Sequence, residues 1–223
     1  MNWVALALTG KLAVVVSALL LVLGLPVAYW LAFSRARWKF VVEAVVAMPL
    51  VLPPTVVGFY FLLFFGQQSA LGRWIESTFG TLLPFTFPGL VVASVLYSFP
   101  FAVQPFAAGM AGVDAKLLQA AALLGASRWK TFFRLILPLS RAGVLTGVVL
   151  SFAHTLGEFG VVLMVGGNIP GVTRTISIAI YDDVQALDYA SANRNGLALV
   201  IFALLALGLV YGLNRKPARG RLG

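Results

Sequence analysis

The chain contains no cysteine and a single histidine, His154. Without cysteine there is no disulfide framework, no thiolate nucleophile and no Cys-based metal site. His154 and Glu158, four residues apart, are too few to hold a metal on their own, so neither a metal nor another cofactor is expected. Charge is also scarce. Only 10% of the 223 residues are Asp, Glu, Lys or Arg, where a soluble domain averages about a quarter. No G-x-x-x-x-G-K-[ST] run occurs, so the chain has no P-loop for ATP. No polar stretch is long enough to build a second core, which predicts one domain over residues 1–223.

What remains is apolar. Hydrophobic residues make up 61% of the chain, with a mean hydropathy of +0.97. This predicts an all-α integral membrane protein, because a helix satisfies its own backbone groups in lipid. A spanning helix needs about 20 apolar residues. Five segments qualify or nearly do: 12–33, 44–65, 90–111, 142–165 and 197–213. The apolar first ten residues are an interfacial stub or an early start to the first helix. That helix is expected to be retained and not removed as a signal peptide, because its basic cluster "RARWK" follows the apolar run instead of preceding it.

The net charge of +9 raises the question of nucleic acid. Basic residues also collect on the cytoplasmic side of membrane proteins, and their distribution favours that explanation. With five spans, twelve of the 16 cations fall on one side: Arg35, Arg37 and Lys39; Lys116, Arg128, Lys130, Arg134 and Arg141; and Arg215, Lys216, Arg219 and Arg221. Only Lys11, Arg73, Arg174 and Arg194 fall on the other. This predicts an external N-terminus, a cytoplasmic C-terminus and no nucleic-acid partner.

Helix 2 carries Pro49, Pro53 and Pro54, and helix 3 carries Pro100 and Pro105. Each removes a backbone donor. Two readings stand: kinks that improve packing, or kinked helices lining a pathway.

One basic, patterned stretch lies between helices 3 and 4: "QAAALLGASRWKTFFRLILP", residues 119–138. Asp114 is suited to cap a short helix over 115–124, and Gly125 to end it in a left-handed conformation. Ten residues reach only about 15 Å, half the hydrocarbon thickness. Ser127 can cap a second helix that Pro138 closes. Leu117, Leu118, Ala121 and Leu124 form an apolar stripe whose destination is either the headgroup layer or a groove on a cytoplasmic protein.

This stretch resembles the EAA loop of ABC importer permeases. Ala120 and Ala121 match its alanines, Gly125 its glycine, and Leu137 and Pro138 its closing pair. Leu135 replaces the usual isoleucine, and Gln119 stands where the family usually has Glu. The stretches "MPLVLPPTVVGFYFLL", "GVDAKLLQAAALLGA" and "FAHTLGEFGVVLMVGGNIPGVTRTISIAIY" resemble the molybdate branch of the type I binding-protein-dependent permeases. Sulfate permeases share the "GEFG" element, Gly157 to Gly160. At His154 many relatives carry Arg. The likeness runs from about residue 12 to 213.

The resemblance implies a MetI-like type I permease fold in a prokaryotic inner membrane. It implies two copies of this chain, two ATP-binding cassette subunits and an external oxyanion-binding protein. The segment 114–138 would hold the coupling helix, with the ATPase activity belonging to the partner. Tungstate or sulfate/thiosulfate transport is the alternative within this class. An ion-coupled secondary transporter is the alternative outside it, although no internal repeat is visible.

Among polar residues, His154 and Glu158 share a face of helix 4 and are expected at a pathway or gate, flanked by Gly157 and Gly160. An ionised Glu158 would repel a dianion, which favours gating or structure over substrate binding. Arg174, with Thr173 and Thr175 beside it, is either a contact for the anion or binding protein, or a solvated loop residue. Asp182, Asp183 and Asp188 are expected to solvate the outer loop.

Overall fold

Asn2 opens the first helix by accepting a hydrogen bond from the Ala5 amide at 3.0 Å. From there α1 (Trp3–Phe33) runs through the apolar first ten residues, settling them as an early helix start. Leu12, Val16 and Leu20, spaced at i and i+4, are fully buried along one face against α5 (Phe87–Ala111). Thr86 caps α5 through the Gly89 amide, and the helix continues through Pro100 and Pro105. The computed structural model describes residues 1–213, so the basic cluster Arg215 to Arg221 lies outside the described residues. Every regular element among the described residues is helical.

The predicted second span, 44–65, is not one kinked helix. It divides into α2 (Lys39–Val51) and α3 (Pro54–Phe65), bent by 112°. Pro49 lies inside α2, but the adjacent Pro53 and Pro54 act together. Leu52, preceding a proline, is pushed to ψ 135°. Pro53 then takes ψ 140°, and Pro54 starts the new helix, a position where its missing N–H has no cost. An amphipathic helix, α4 (Ala70–Phe79), follows, capped by Ser69 and closed by Gly80 at φ 74°.

After α5 come α6 (Ala115–Leu123), α7 (Arg128–Thr131), a π-helical turn (Phe132–Ile136) and α8 (Leu137–Leu139). Pro138 cannot donate to Arg134 and crowds its carbonyl, and the wide turn ahead of it accommodates that. The predicted fourth span, 142–165, is also divided: α9 (Arg141–Leu156) and α10 (Gly160–Gly166) flank a break at Gly157–Phe159. Finally come α11 (Ile176–Gln185) and α12 (Tyr189–Leu213). Among the described residues, three helices are long and apolar enough to cross a membrane, or up to five if two bent pairs each count as one span: α2 with α3, and residues 128–139 with α9, the latter bent by 73°.

Close backbone approach locks α9 to α5. A Cβ at Gly143 would lie 2.6 Å from the Pro105 carbonyl oxygen, and one at Gly147 2.5 Å from the Phe106 ring. Such glycine contacts suit helix association in lipid, where packing replaces the hydrophobic effect.

Candidate functional site

The basic unit between α5 and α9 takes the form its caps predict. Asp114 accepts from the Lys116 amide at 2.8 Å. At the other end Gly125 adopts φ 71°. The Gly125 amide bonds the Ala122 carbonyl, and the Ala126 amide bonds the Ala121 carbonyl, both at 3.0 Å. These are the two bonds of a Schellman end. Ser127 caps α7 through the Lys130 amide. No residue of α6 is buried.

The stripe on α6 differs from the predicted one. Leu118 packs against the chain's own core, and Ala121 is half-buried. Gln119 and Ala120 face outward. Leu117 is exposed, and Leu123 and Leu124 at the tip are 89% and 87% exposed. Pro138 is exposed, while Leu135 and Leu137 are half-buried.

A second polar centre lies deep in the bundle, at the α9–α10 break. His154 and Glu158 do not share a continuous helix, because α9 ends at Leu156. The break nevertheless leaves their side chains together, His154 Nδ1 lying 3.5 Å from Glu158 Oε1. Glu158 is 4% exposed. Ser94 on α5 donates to its Oε2, and Ser98 donates to its Oε1 at 2.7 Å. Ser98 Oγ also lies 2.9 Å from His154 Nδ1 and 3.0 Å from Thr155 Oγ1. A serine hydroxyl has one proton. With that proton on Glu158, the His154 nitrogen is the donor to Ser98. The imidazole stacks on Phe101 at 3.9 Å between ring centroids.

Counting along α9 from Arg141, His154 lies about 20 Å from the basic end. Ser98 lies the same distance from the basic end of α5. With both helices running along the membrane normal, that distance places the centre past the middle of a hydrocarbon layer about 30 Å thick. Beside it the two helix breaks meet. A Cβ at Gly160 would lie 2.8 Å from Pro54 Cβ, and one at Gly58 2.6 Å from Met164 Cβ. Gly157 is different. Its φ is −91°, and a Cβ there would meet nothing closer than 3.7 Å, so of the two flanking glycines only Gly160 permits close approach. Towards the basic side, a cavity of about 420 Å³ lies between α2 and α5, lined among others by Lys39, Glu43 and Gln104.

The loop between α10 and α11, with the start of α12, corrects three expectations. Thr173 is fully buried, donating to the Gly166 carbonyl at 2.6 Å and accepting from the Ile169 amide. Thr175 is 2% exposed. Neither is a surface contact, because both are packed where the loop enters α11. Arg174 is partly exposed and already engaged, with Nε 2.6 Å from Asn168 Oδ1 and a guanidinium nitrogen 3.6 Å from Asp182. The aspartates do more than solvate the loop. Asp182 accepts from Asn168, and Asp183 accepts from Asn195 at 2.7 Å. Asp188 accepts from the Ser191 amide at the start of α12, and hydrogen bonds from Ser191 hold its carboxyl below the ordinary carboxylate range.

Residues 21–216 match the family described as the binding-protein-dependent transport system inner membrane component. The chain belongs to this family. Among its relatives, the molybdenum transport system permease protein ModB of Azotobacter vinelandii is 48% identical over 96% of this chain and 95% of its own length. The ModB of Escherichia coli K12 is 37% identical over 94% and 90%. The methionine ABC transporter MetNI, solved in inward-facing conformations, has a chain that superposes with a TM-score of 0.74 at 17% identity, covering 95% of each chain. The fold is that of a type I permease.

Within this permease fold, Glu158 and His154 were found from the sequence because ionisable residues stand out in an apolar run. Ser94, Ser98 and Thr155 were missed. The one signal for them is that Ser94 and Ser98 are four apart, on one face of a largely apolar helix.

Proposed function

We propose that this permease is the membrane-spanning subunit of an ABC importer for molybdate or a similar tetrahedral oxyanion. Two copies work with two ATP-binding cassette subunits and receive the anion from an external binding protein. The observation that carries the reading is the 48% identity to a molybdenum transport permease over 96% of the chain. The N-terminus lies outside and the basic side is cytoplasmic, following the positive-inside rule.

The geometry supports a mechanical route. Leu123 and Leu124 leave an apolar tip on α6, and burying each would contribute about 1.5–3 kcal/mol. A cleft on the ATPase subunit is the surface that covers them. Gln119, Ala120, Ala121, Gly125, Leu135, Leu137 and Pro138 belong to this coupling unit. It joins α5 to α9, and those helices are locked together by Gly143 and Gly147. A push on α6 therefore loads both at once. At their far end the load reaches Glu158, bonded across to α5, and Gly160, seated on Pro54. His154 and Glu158 hold one arrangement of the paired breaks, and the oxyanion passes along the interface between the two permease copies.

Copurification tests the assembly. Tagged permease expressed with a candidate ATP-binding cassette subunit is expected to bring down both a second permease copy and the ATPase. Purification of the permease alone, from membranes that contain the ATPase, would overturn the proposal and favour a self-sufficient ion-coupled transporter.

A further inference from the structure

A groove between α1 and the π turn takes no part in that route. Its volume is about 570 Å³. Val22, Leu25 and Pro26 form one wall, and Arg128, Trp129 and Phe133 the other. Tyr29 and Phe132 meet edge to face at its floor, with ring centroids 5.5 Å apart. The lining is apolar apart from the tyrosine and the arginine. Trp129 is 74% exposed and lies parallel to Phe133, with the ring centroids 5.9 Å apart.

The layout is graded along the membrane normal. Phe33 ends α1, so Tyr29 lies about 6 Å and Val22 about 16 Å into the layer from the basic face. The apolar wall is therefore at acyl-chain depth. Arg128 stands at the mouth, with exposed Lys130 and Arg134 following it in the sequence. Tryptophan is enriched at this level of membrane proteins. No carboxylate lines the groove. A second copy docked here in a symmetric arrangement would set these cations against themselves, in a chain with 7 carboxylates against 16 cations.

We propose that this groove binds an anionic phospholipid, one acyl chain along Val22 and Pro26 and the phosphate at Arg128. Basic pockets between helices on the cytoplasmic side suit anionic headgroups. The apolar wall supplies affinity, and the guanidinium supplies the preference for a net negative lipid. The bound lipid tethers the π turn to α1.

The test uses the full chain in mixed micelles and the quenching of Trp129 fluorescence by lipids with brominated acyl chains. The Trp129 signal is isolated by subtracting that of Trp129→Phe. Brominated phosphatidylglycerol is expected to half-quench it at a mole fraction about fivefold lower than brominated phosphatidylcholine, the preference one basic side chain gives to an anionic headgroup. Arg128→Gln should make the two lipids equal, with unchanged helical content. Val22→Phe fills the groove without touching a cation and should raise the amount of either lipid required. Equal quenching in the wild type overturns the proposal, as does a preference that survives Arg128→Gln. Absence of quenching, with cross-links between Val22→Cys copies, assigns the groove to a second permease chain and also overturns it.

Discussion

Two hydroxyls from one helix, those of Ser94 and Ser98, close on the two oxygens of a carboxylate from another. Glu158→Gln replaces one acceptor oxygen by an amide donor, so one serine hydroxyl loses the acceptor of its proton. Leaving a buried polar group unpaired costs about 1–3 kcal/mol, enough to bias a two-state pathway without unfolding it. The variant is expected to assemble normally, with altered basal ATP hydrolysis and reduced oxyanion uptake. Weaker uptake with unchanged hydrolysis would instead mean direct contact with substrate, and poor assembly a structural role. Two glycines make a second residue-scale prediction. Gly160→Ala drives a methyl into Pro54 and should cost about 1–3 kcal/mol as overpacking, lowering the midpoint of thermal unfolding in detergent. Gly157→Ala makes only ordinary van der Waals contact, 3.7 Å from the His154 carbonyl oxygen, and should change it little. Equal effects would contradict the contact between the breaks. In the sequence these glycines look alike, because what separates them is a neighbour more than a hundred residues away.

The short helices between α5 and α9 were legible from the chemical marks at their ends, whereas α4, capped by Ser69 and closed by Gly80, was not anticipated. Asp114, Gly125 and Ser127 stand at the caps of α6 and α7, and each terminus lies within a residue or so of its predicted place. The breaks were not legible. Pro100 and Pro105 lie inside α5 without ending it, while Pro53 and Pro54 end α2 outright. One proline forfeits one hydrogen bond, but two in succession also force extended backbone between them. The break at Gly157 has no proline and is fixed by tertiary contacts instead. Gly125→Leu belongs to this scale. A Cβ there meets no atom of this chain within 4 Å, so within the monomer the main cost is backbone strain of about 1 kcal/mol. A larger defect must come from a partner. The variant is expected to insert and fold but to lose ATPase association or coupling. Gly125→Asn, which tolerates the left-handed conformation, should retain much more of both. Normal transport by Gly125→Leu would remove α6 from the joint.

At the scale of the whole molecule, composition and the placement of cations predicted spans and sidedness, and the absence of native cysteine makes both testable. Ser69→Cys should react with an impermeant thiol reagent from outside, and Ser127→Cys only from the cytoplasmic face. The reverse pattern would sink the orientation and the coupling role together. Sequence reading could not foresee that the second and fourth spans are each divided and that Gly160 on one meets Pro54 on the other, because this depends on packing between distant segments. The central claim is that α6 passes ATPase motion to an oxyanion pathway. Proteoliposomes that contain the permease, its ATPase and a loaded binding protein test it most directly, by measuring ATP hydrolysis and molybdate uptake together. The expected result is hydrolysis stimulated by the molybdate-loaded binding protein and uptake that depends on ATP, both lost in Gly125→Leu. Uptake that persists without ATP, driven by an ion gradient, would contradict it.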